Sequence, residues 1–329
     1  THENGNSRSK ELTMLIQCEK CNSRYNLDVS AISKPTFKVR CAQCNHAFVV
    51  RKKLERDAEL FRPEEPEAGR RHQVIAISNQ KGGVAKTTTC LNLGMALAQE
   101  GNKVLLIDFD VQANLTTALG FSSNSASFFD ILQSGADNLL PHVHASRYPN
   151  LSLLPSNSRM ALLTKHYMYR PNFEFLLRDR LQWVIERFDF ILLDTPPALD
   201  FCTLNALMAA HRVLIPTPCE YLSMHGIHKI EDIIKVVQKK TGRELDYRIL
   251  ISMHDPRSTA AKVIYRKIRD LFGSRVLNTV IELDEKMKES QIVNLPVSQY
   301  DADCPVARQF LQLAREISAL PIPTLQGRG

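Results

Sequence analysis

"QVIAISNQKGGVAKTTTCLNLGMALAQEG", residues 73–101, decides the fold. A short apolar run (73–78) leads into a glycine-bearing loop. Helical periodicity then carries 87–101 to a stop at Gly101. A strand, a Gly-rich turn and a helix N-terminus make an anion cradle, because inward backbone N–H groups and the helix dipole both favour phosphate. The usual loop reads G-x-x-x-x-G-K-[ST]. Anchored on Lys86 and Thr87, its glycines fall on Gln80 and Ala85, and an additional lysine stands at Lys81. Gly82 and Gly83 let backbone approach a ligand without a Cβ. Lys86 is expected to reach the β and γ phosphates, and the Thr87 hydroxyl to bind magnesium. A Cβ at Ala85 is strained if the loop needs positive φ there.

Outward from this stretch, apolar runs recur at 103–110, 188–197, 212–218, 247–253 and 275–281. Helical patterns lie between or after them at 173–187, 224–240, 258–272 and 304–320. Continuous apolar strands alternating with helices predict an α/β fold, a doubly wound and mostly parallel sheet with helices on both faces. Ligands of such sheets bind beyond the carboxyl ends of the strands. Asp108 and Asp110 end the second run and Asp194 ends "FILLD". Each alone reads as a cap or a turn. Together, at strand ends beside a phosphate loop, they suit the water shell of a magnesium ion.

These residues resemble the ParA/MinD family of deviant Walker A ATPases, closest to its ParA/Soj branch. "KGGVAKTT" is similar to the family's K-G-G-x-x-K-[ST] loop, in which Gln80 and Ala85 are accepted. "LLIDFDVQANLTTALG" resembles its switch I segment, with Val111 in place of proline, and "FDFILLDTPPAL" its Walker B and switch II. The likeness covers about 72–320 and extends to "LISMHDPRSTAAKVIYRKIRDLFGSRVLNTVI". It implies a P-loop NTPase that sandwiches two ATP molecules between two copies. Lys81 then reaches the partner's phosphates, stabilising charge that shifts as the γ-phosphate leaves. Lys81, Gly82, Gly83, Val84, Ala85, Lys86, Thr87, Thr88, Asp108 and Asp194 become the nucleotide residues. Lys81, Lys86 and Asp110 become the catalytic ones, Asp110 orienting the attacking water.

Ahead of this domain, Cys18-x2-Cys21 and Cys41-x2-Cys44 stand nineteen residues apart. The spacing fits the four-thiolate zinc template. So small a segment cannot hold itself together by burial, and zinc binding is large enough to fold it. His46 reads as a surface residue beside it. "IQCEKCNSRYNLD" and "KVRCAQCNHAFVV" also resemble small zinc-ribbon modules of bacterial protein N-termini. The other four cysteines (Cys90, Cys202, Cys219, Cys304) read as buried thiols. The expected boundaries are 1–13 as a polar stretch outside the fold, disordered or extraneous, 14–50 zinc-ribbon, 51–71 linker, 72–320 ATPase domain and 321–329 tail. A short helix around Lys53–Phe61 is compatible with the linker.

The net charge of +7 suits a polyanion, but a solvated surface carries such an excess as well. Residues 239–275 hold ten Lys/Arg against four Asp/Glu. Lys262, Arg266 and Arg269 share one helical face, which can neutralise phosphates without reading sequence. Resemblance adds Arg257 as a family basic position and non-specific DNA as a partner. The family's I-P-R-N stretch reads Ile281-Glu282-Leu283-Asp284, with Lys286 and Lys288 just beyond. No run of about 18 apolar residues is present and "PIPTLQGRG" is too short and proline-broken for a bilayer, so no membrane partner is expected. The cysteine usage suits a reducing cytosol. The resulting expectation is a cytoplasmic, nucleoid-associated ATPase using ATP, Mg2+ and Zn2+. It dimerises on ATP, binds DNA and positions a cargo through a stimulating protein partner. The alternative is a regulatory or scaffold switch that docks a protein through the ribbon and binds no DNA.

Overall fold

The computed structural model describes residues 13–51 except 19, 22 and 29–35, and residues 72–322 except 123. The chain divides into two compact units, 1–65 and 66–329. The suggested helix at Lys53–Phe61 lies outside the described residues, as do most of the linker and tail.

The first unit holds two antiparallel hairpins. β1 (Thr13–Gln17) pairs with β2 (Arg24–Asp28), and β3 (Thr36–Arg40) with β4 (Ala47–Arg51). Its buried cluster is Cys18, Cys41 and Phe48.

The second unit is built on one sheet of eight strands. In chain order these are β5 (Gln73–Ile77), β6 (Val104–Asp108), β7 (His144–Ala145), β8 (Leu151–Leu154), β9 (Phe190–Asp194), β10 (Arg212–Pro218), β11 (Asp246–His254) and β12 (Val276–Glu282). Their spatial order is β12-β11-β10-β5-β9-β6-β8-β7, and all pairs are parallel except β7 with β8. Around it lie α1 (Lys86–Gln99), α2 (Asn114–Ala118), α3 (Phe128–Gln133), α4 (Leu162–Tyr167), α5 (Leu176–Leu181) and α6 (Phe201–Ala209). Then follow α7 (Ser223–Thr241), α8 (Thr259–Phe272), α9 (Glu285–Ile292), α10 (Val297–Tyr300) and α11 (Pro305–Ala319).

Successive strand residues point to opposite faces, and both faces are buried. Ile75, Ile77, Val104, Leu106 and Leu192 join α1 and α11 in one core cluster. The intervening Val74, Ala76, Leu105, Ile107 and Ile191 are equally buried and point to the opposite face of the sheet. Helix α1 lies close to β6 because of Gly94, where a Cβ would stand 2.6 Å from Leu106 Cδ2. The doubly wound α/β architecture predicted from the alternation is the one found.

One expected helix is broken. Over 173–187 the chain forms a 3-10 turn (Phe173–Phe175), then α5, then another 3-10 turn (Ile185–Arg187). The backbone there donates three residues back, as in Val184 N–H to Leu181 O (2.9 Å) and Arg187 N–H to Val184 O (3.0 Å). These tight turns still bury Leu177, Leu181, Val184 and Phe188, so the apolar phase survives without the regular helix. In the other direction, α6 has no counterpart among the expected helices. Nearly every residue in it is buried, which leaves no polar face to mark a period.

Candidate functional site: a nucleotide cleft and a four-cysteine centre

Register brings the carboxylates to the loop. Asp194 is the Cα partner of Ile77 on one side and of Asp108 on the other. The loop that follows β5 therefore rises directly above Asp194. Asn79 braces this loop: its Nδ2 donates to Pro216 O (2.9 Å) and its Oδ1 accepts from Lys81 N–H (3.0 Å). The Ser252 hydroxyl donates to Val84 O (3.3 Å). Ala85 adopts φ +67°, ψ +33° immediately before α1. The strain anticipated for a Cβ there is thus present, and a left-handed alanine costs about 1–2 kcal/mol.

The buried Lys86 ammonium donates to the carbonyl of Lys81 (3.1 Å). Burial holds its pKa below the ordinary lysine value, against the pull of Asp194 and Asp110. A cleft of about 560 Å³ opens from Gly82–Thr89 past Asp110 and Pro197 to Met253, Leu283 and Met287 at the far end. That size lies in the range of small-molecule sites.

The three carboxylates differ. Asp108 is fully engaged: Oδ2 accepts from Thr116 N–H (2.9 Å) and Thr116 Oγ1 (2.7 Å), and Oδ1 from Asp110 N–H (3.1 Å). Burial still raises it to about 6. Asp110 accepts from Gln112 N–H (3.0 Å) through Oδ1, and its carbonyl accepts from Ser156 Oγ (2.6 Å). Asp194 is 0% exposed and neither of its oxygens has a partner. Burial, reinforced by Asp108, pushes it well above the usual carboxylate range. An orphaned buried carboxylate beneath a phosphate loop, with Thr87 and Lys86 beside it, fits a hydrated divalent cation and a phosphate chain.

Residues outside the sequence expectation complete this site. Thr116 and Ser156 tie down the segment that follows β6, Asn79 fixes the loop, and Asp200, raised by burial, accepts from Thr203 N–H (3.1 Å) to begin α6. Glu220, after β10, forms an ion pair with Lys81. No spacing rule joins residues 81 and 220; only the adjacency of β5 and β10 does.

In the first unit, the sulfurs of Cys18, Cys21, Cys41 and Cys44 all lie within 4.8 Å of one another. Cys18 Sγ to Cys44 Sγ is 3.6 Å and Cys21 Sγ to Cys41 Sγ is 3.5 Å. Each knuckle is closed by backbone bonds, Cys18 N–H to Ser23 O (2.9 Å) and Cys41 N–H to His46 O (2.8 Å). The Tyr25 hydroxyl, 3.0 Å from Cys41 Sγ, holds that thiol down at about 6. Four converging sulfurs, two of them biased toward thiolate, Cys41 and Cys21 (the latter by the Ser23 hydroxyl), fit a tetrahedral zinc ion.

The basic residues are dispersed. Arg257 pairs with Asp255 (2.9 Å), Lys286 with Glu289 (2.8 Å) and Lys288 with Glu285 (2.7 Å). Arg269 donates to Tyr265 Oη (3.0 Å) and Leu277 O (3.1 Å). Lys262 and Arg266 stand exposed on α8. Among the described residues no helix is long and apolar enough to cross a membrane.

Residues 72–247 match the family described as an AAA domain, and residues 14–49 the zinc-ribbon domain. Chromosome-partitioning ATPase Soj of Treponema pallidum is 36% identical over 248 residues, 75% of this chain and 97% of the relative. The chain belongs to the ParA/Soj family of P-loop ATPases. Sporulation initiation inhibitor protein Soj of Bacillus subtilis is 34% identical over 75% of this chain and 98% of its own length. Among solved structures, cobyrinic acid a,c-diamide synthase of Mycobacterium smegmatis with a bound ATP analogue and magnesium has TM-score 0.65 and 28% identity. It covers 77% of this chain and 98% of its own. These comparisons support ATP and magnesium as cofactors, and the zinc-ribbon match with its four cysteines supports zinc.

Proposed function

We propose that this ParA/Soj ATPase is a positioning ATPase that pairs on ATP, holds DNA non-specifically and moves a cargo. The carrying observation is the division of labour between two lysines. Lys86 lines the cleft, whereas Lys81 does not, and its ammonium is paired with Glu220. A cation that does not serve its own cleft is suited to serve a partner's. In this reading Gly82, Gly83, Val84, Ala85, Thr87 and Thr88 wrap the phosphates with backbone and hydroxyl donors. Lys86 neutralises them from within, and Lys81 does so from the other copy. Asp110 orients the attacking water, Asp108 holds switch I through Thr116, and Asp194 anchors the water shell of the cation. Thr87 would hold magnesium, which would supply positive charge to the phosphate chain. Cargo release follows hydrolysis stimulated by a protein partner.

DNA contact is assigned to Lys262 and Arg266 first, with Arg269, Arg257, Lys286 and Lys288 as secondary residues. Replacing Asp110 with Ala is expected to trap a DNA-bound dimer. If that variant stays monomeric in ATP, the reading is wrong.

A second reading is favoured by one observation: Arg257, Lys286 and Lys288 are each neutralised by a carboxylate of their own chain. In it the protein is a nucleotide-dependent switch that docks another protein through the ribbon, without DNA. Electrophoretic shifts with ATP at several salt concentrations separate the two, since phosphate contacts lose affinity steeply with salt.

A further inference from the structure

The ion pair between Lys81 and Glu220 joins two anchored loops. β5 and β10 are neighbours, so the loops that follow them emerge side by side. Asn79 ties them together by donating to Pro216 O while accepting from Lys81 N–H. Glu220 N–H donates to Ser223 Oγ (3.3 Å), and Ser223 in turn donates to Pro218 O. Helix α7 closes in behind: a Cβ at Gly226 would lie 3.2 Å from Asn79 Oδ1. Both backbones are thus fixed, and the pair needs only side-chain rotation to form or break. Lys81 is restrained a second time through its carbonyl, which accepts from Lys86.

We propose that Glu220 is an intramolecular latch, holding the Lys81 amine on its own subunit and so setting the protein concentration at which ATP-loaded copies pair. This rests on the paired-dimer reading above. The side chains are 35% and 56% exposed, so the pair is solvent-screened and readily reversed. An amine held in cis is not available in trans, and because both copies must release theirs, apparent affinity falls with the square of the competent fraction. Phosphates in the cleft compete for Lys86 and relax its hold on the Lys81 carbonyl. The partner's phosphates, in a dry interface, then outcompete one exposed carboxylate for the amine.

The test uses the full chain with ATP and magnesium, following the monomer–dimer midpoint by sedimentation. Glu220→Gln is expected to lower the midpoint by up to about twenty-five-fold, because two exposed ion pairs, each worth up to about five-fold, are released per dimer. In a Lys81→Gln background, which this reading expects to pair weakly at best, Glu220→Gln is expected not to restore pairing. A parallel measurement on the monomer follows labelling of Lys81 by an amine reagent, read by mass spectrometry against the other surface lysines. Glu220→Gln is expected to speed labelling at Lys81 alone. An unchanged labelling rate, an unchanged midpoint or a raised midpoint each overturns the latch, a raised midpoint meaning that Glu220 acts across the interface. Should the wild type never pair in ATP, the dimer reading fails and the latch with it as a pairing control. The labelling result still reports whether the ion pair exists.

Discussion

The two units of this chain reach order by opposite routes. The ATPase unit buries apolar side chains on both faces of an eight-stranded sheet. The four-cysteine unit has a buried cluster of Cys18, Cys41 and Phe48, two of which are themselves metal-ligand types. Hydrophobic burial scales with size and fails for small segments. A metal concentrates the same free energy into four bonds. One unit therefore spreads its stability over many contacts, and the other concentrates it in four ligands.

The sharpest break in that contrast is Cys41→Ser. It removes one of four sulfurs, and loss of metal ligation, worth about 10–16 kcal/mol in zinc-finger peptides, is expected to melt β1–β4. Amide exchange should show 13–51 unprotected while 73–77 and 190–194 remain slow; surviving protection in the hairpins would mean that zinc does not fold them. The counterpart is Leu192→Ala, at a fully buried position of β9. It is expected to cost about 2–5 kcal/mol, seen as a lower denaturation midpoint with bound zinc unchanged.

A pH test separates the units more finely. His211 is buried, and its Nδ1 accepts from Val74 N–H (2.8 Å), which requires an unprotonated ring nitrogen. Burial, with Arg243 adding repulsion, lowers its pKa to about 4. The unfolded chain, with a value of about 6.5, takes up the proton first as pH falls. The stabilisation is therefore fully present above about 6.5 and is lost toward about 4, up to about 3 kcal/mol in all. His211→Asn, which keeps an acceptor, is expected to flatten the stability profile of the ATPase unit between those limits. A wild-type profile already flat there would remove His211 as the cause.

The smallest effect concerns left-handed turns. In the ribbon the position is filled by Asn45 (φ +58°), a residue that tolerates it; in the phosphate loop it is filled by Ala85 (φ +67°). Ala85→Gly is expected to raise thermal stability by up to about 1 kcal/mol. A destabilised variant would show that the loop bears no such strain.

Much of this was legible from sequence because it is local. The strands at 73–77, 104–108 and 190–194 are unbroken apolar runs, and two C-x2-C pairs announce their own geometry. The 173–187 helix misled because buried residues at helical spacing do not distinguish α from 3-10 turns. The cleft's Thr116, Ser156 and Asn79 went unread because no motif requires them. The basic positions were legible as charges and not as partners: Lys286 and Lys288 are neutralised one turn away by Glu289 and Glu285.

By itself the sequence determined the periodicities, the phosphate loop, the carboxylates at strand ends and the cysteine spacing, since each follows from residues close along the chain. Only tertiary structure decided the strand order that sets Asp194 between Ile77 and Asp108. It alone left that carboxylate unpartnered while Thr116 occupied Asp108, and it alone laid Glu220 against Lys81. The reason is that parallel strands need long crossovers, so neighbours in the sheet come from distant segments and no local pattern carries their pairing.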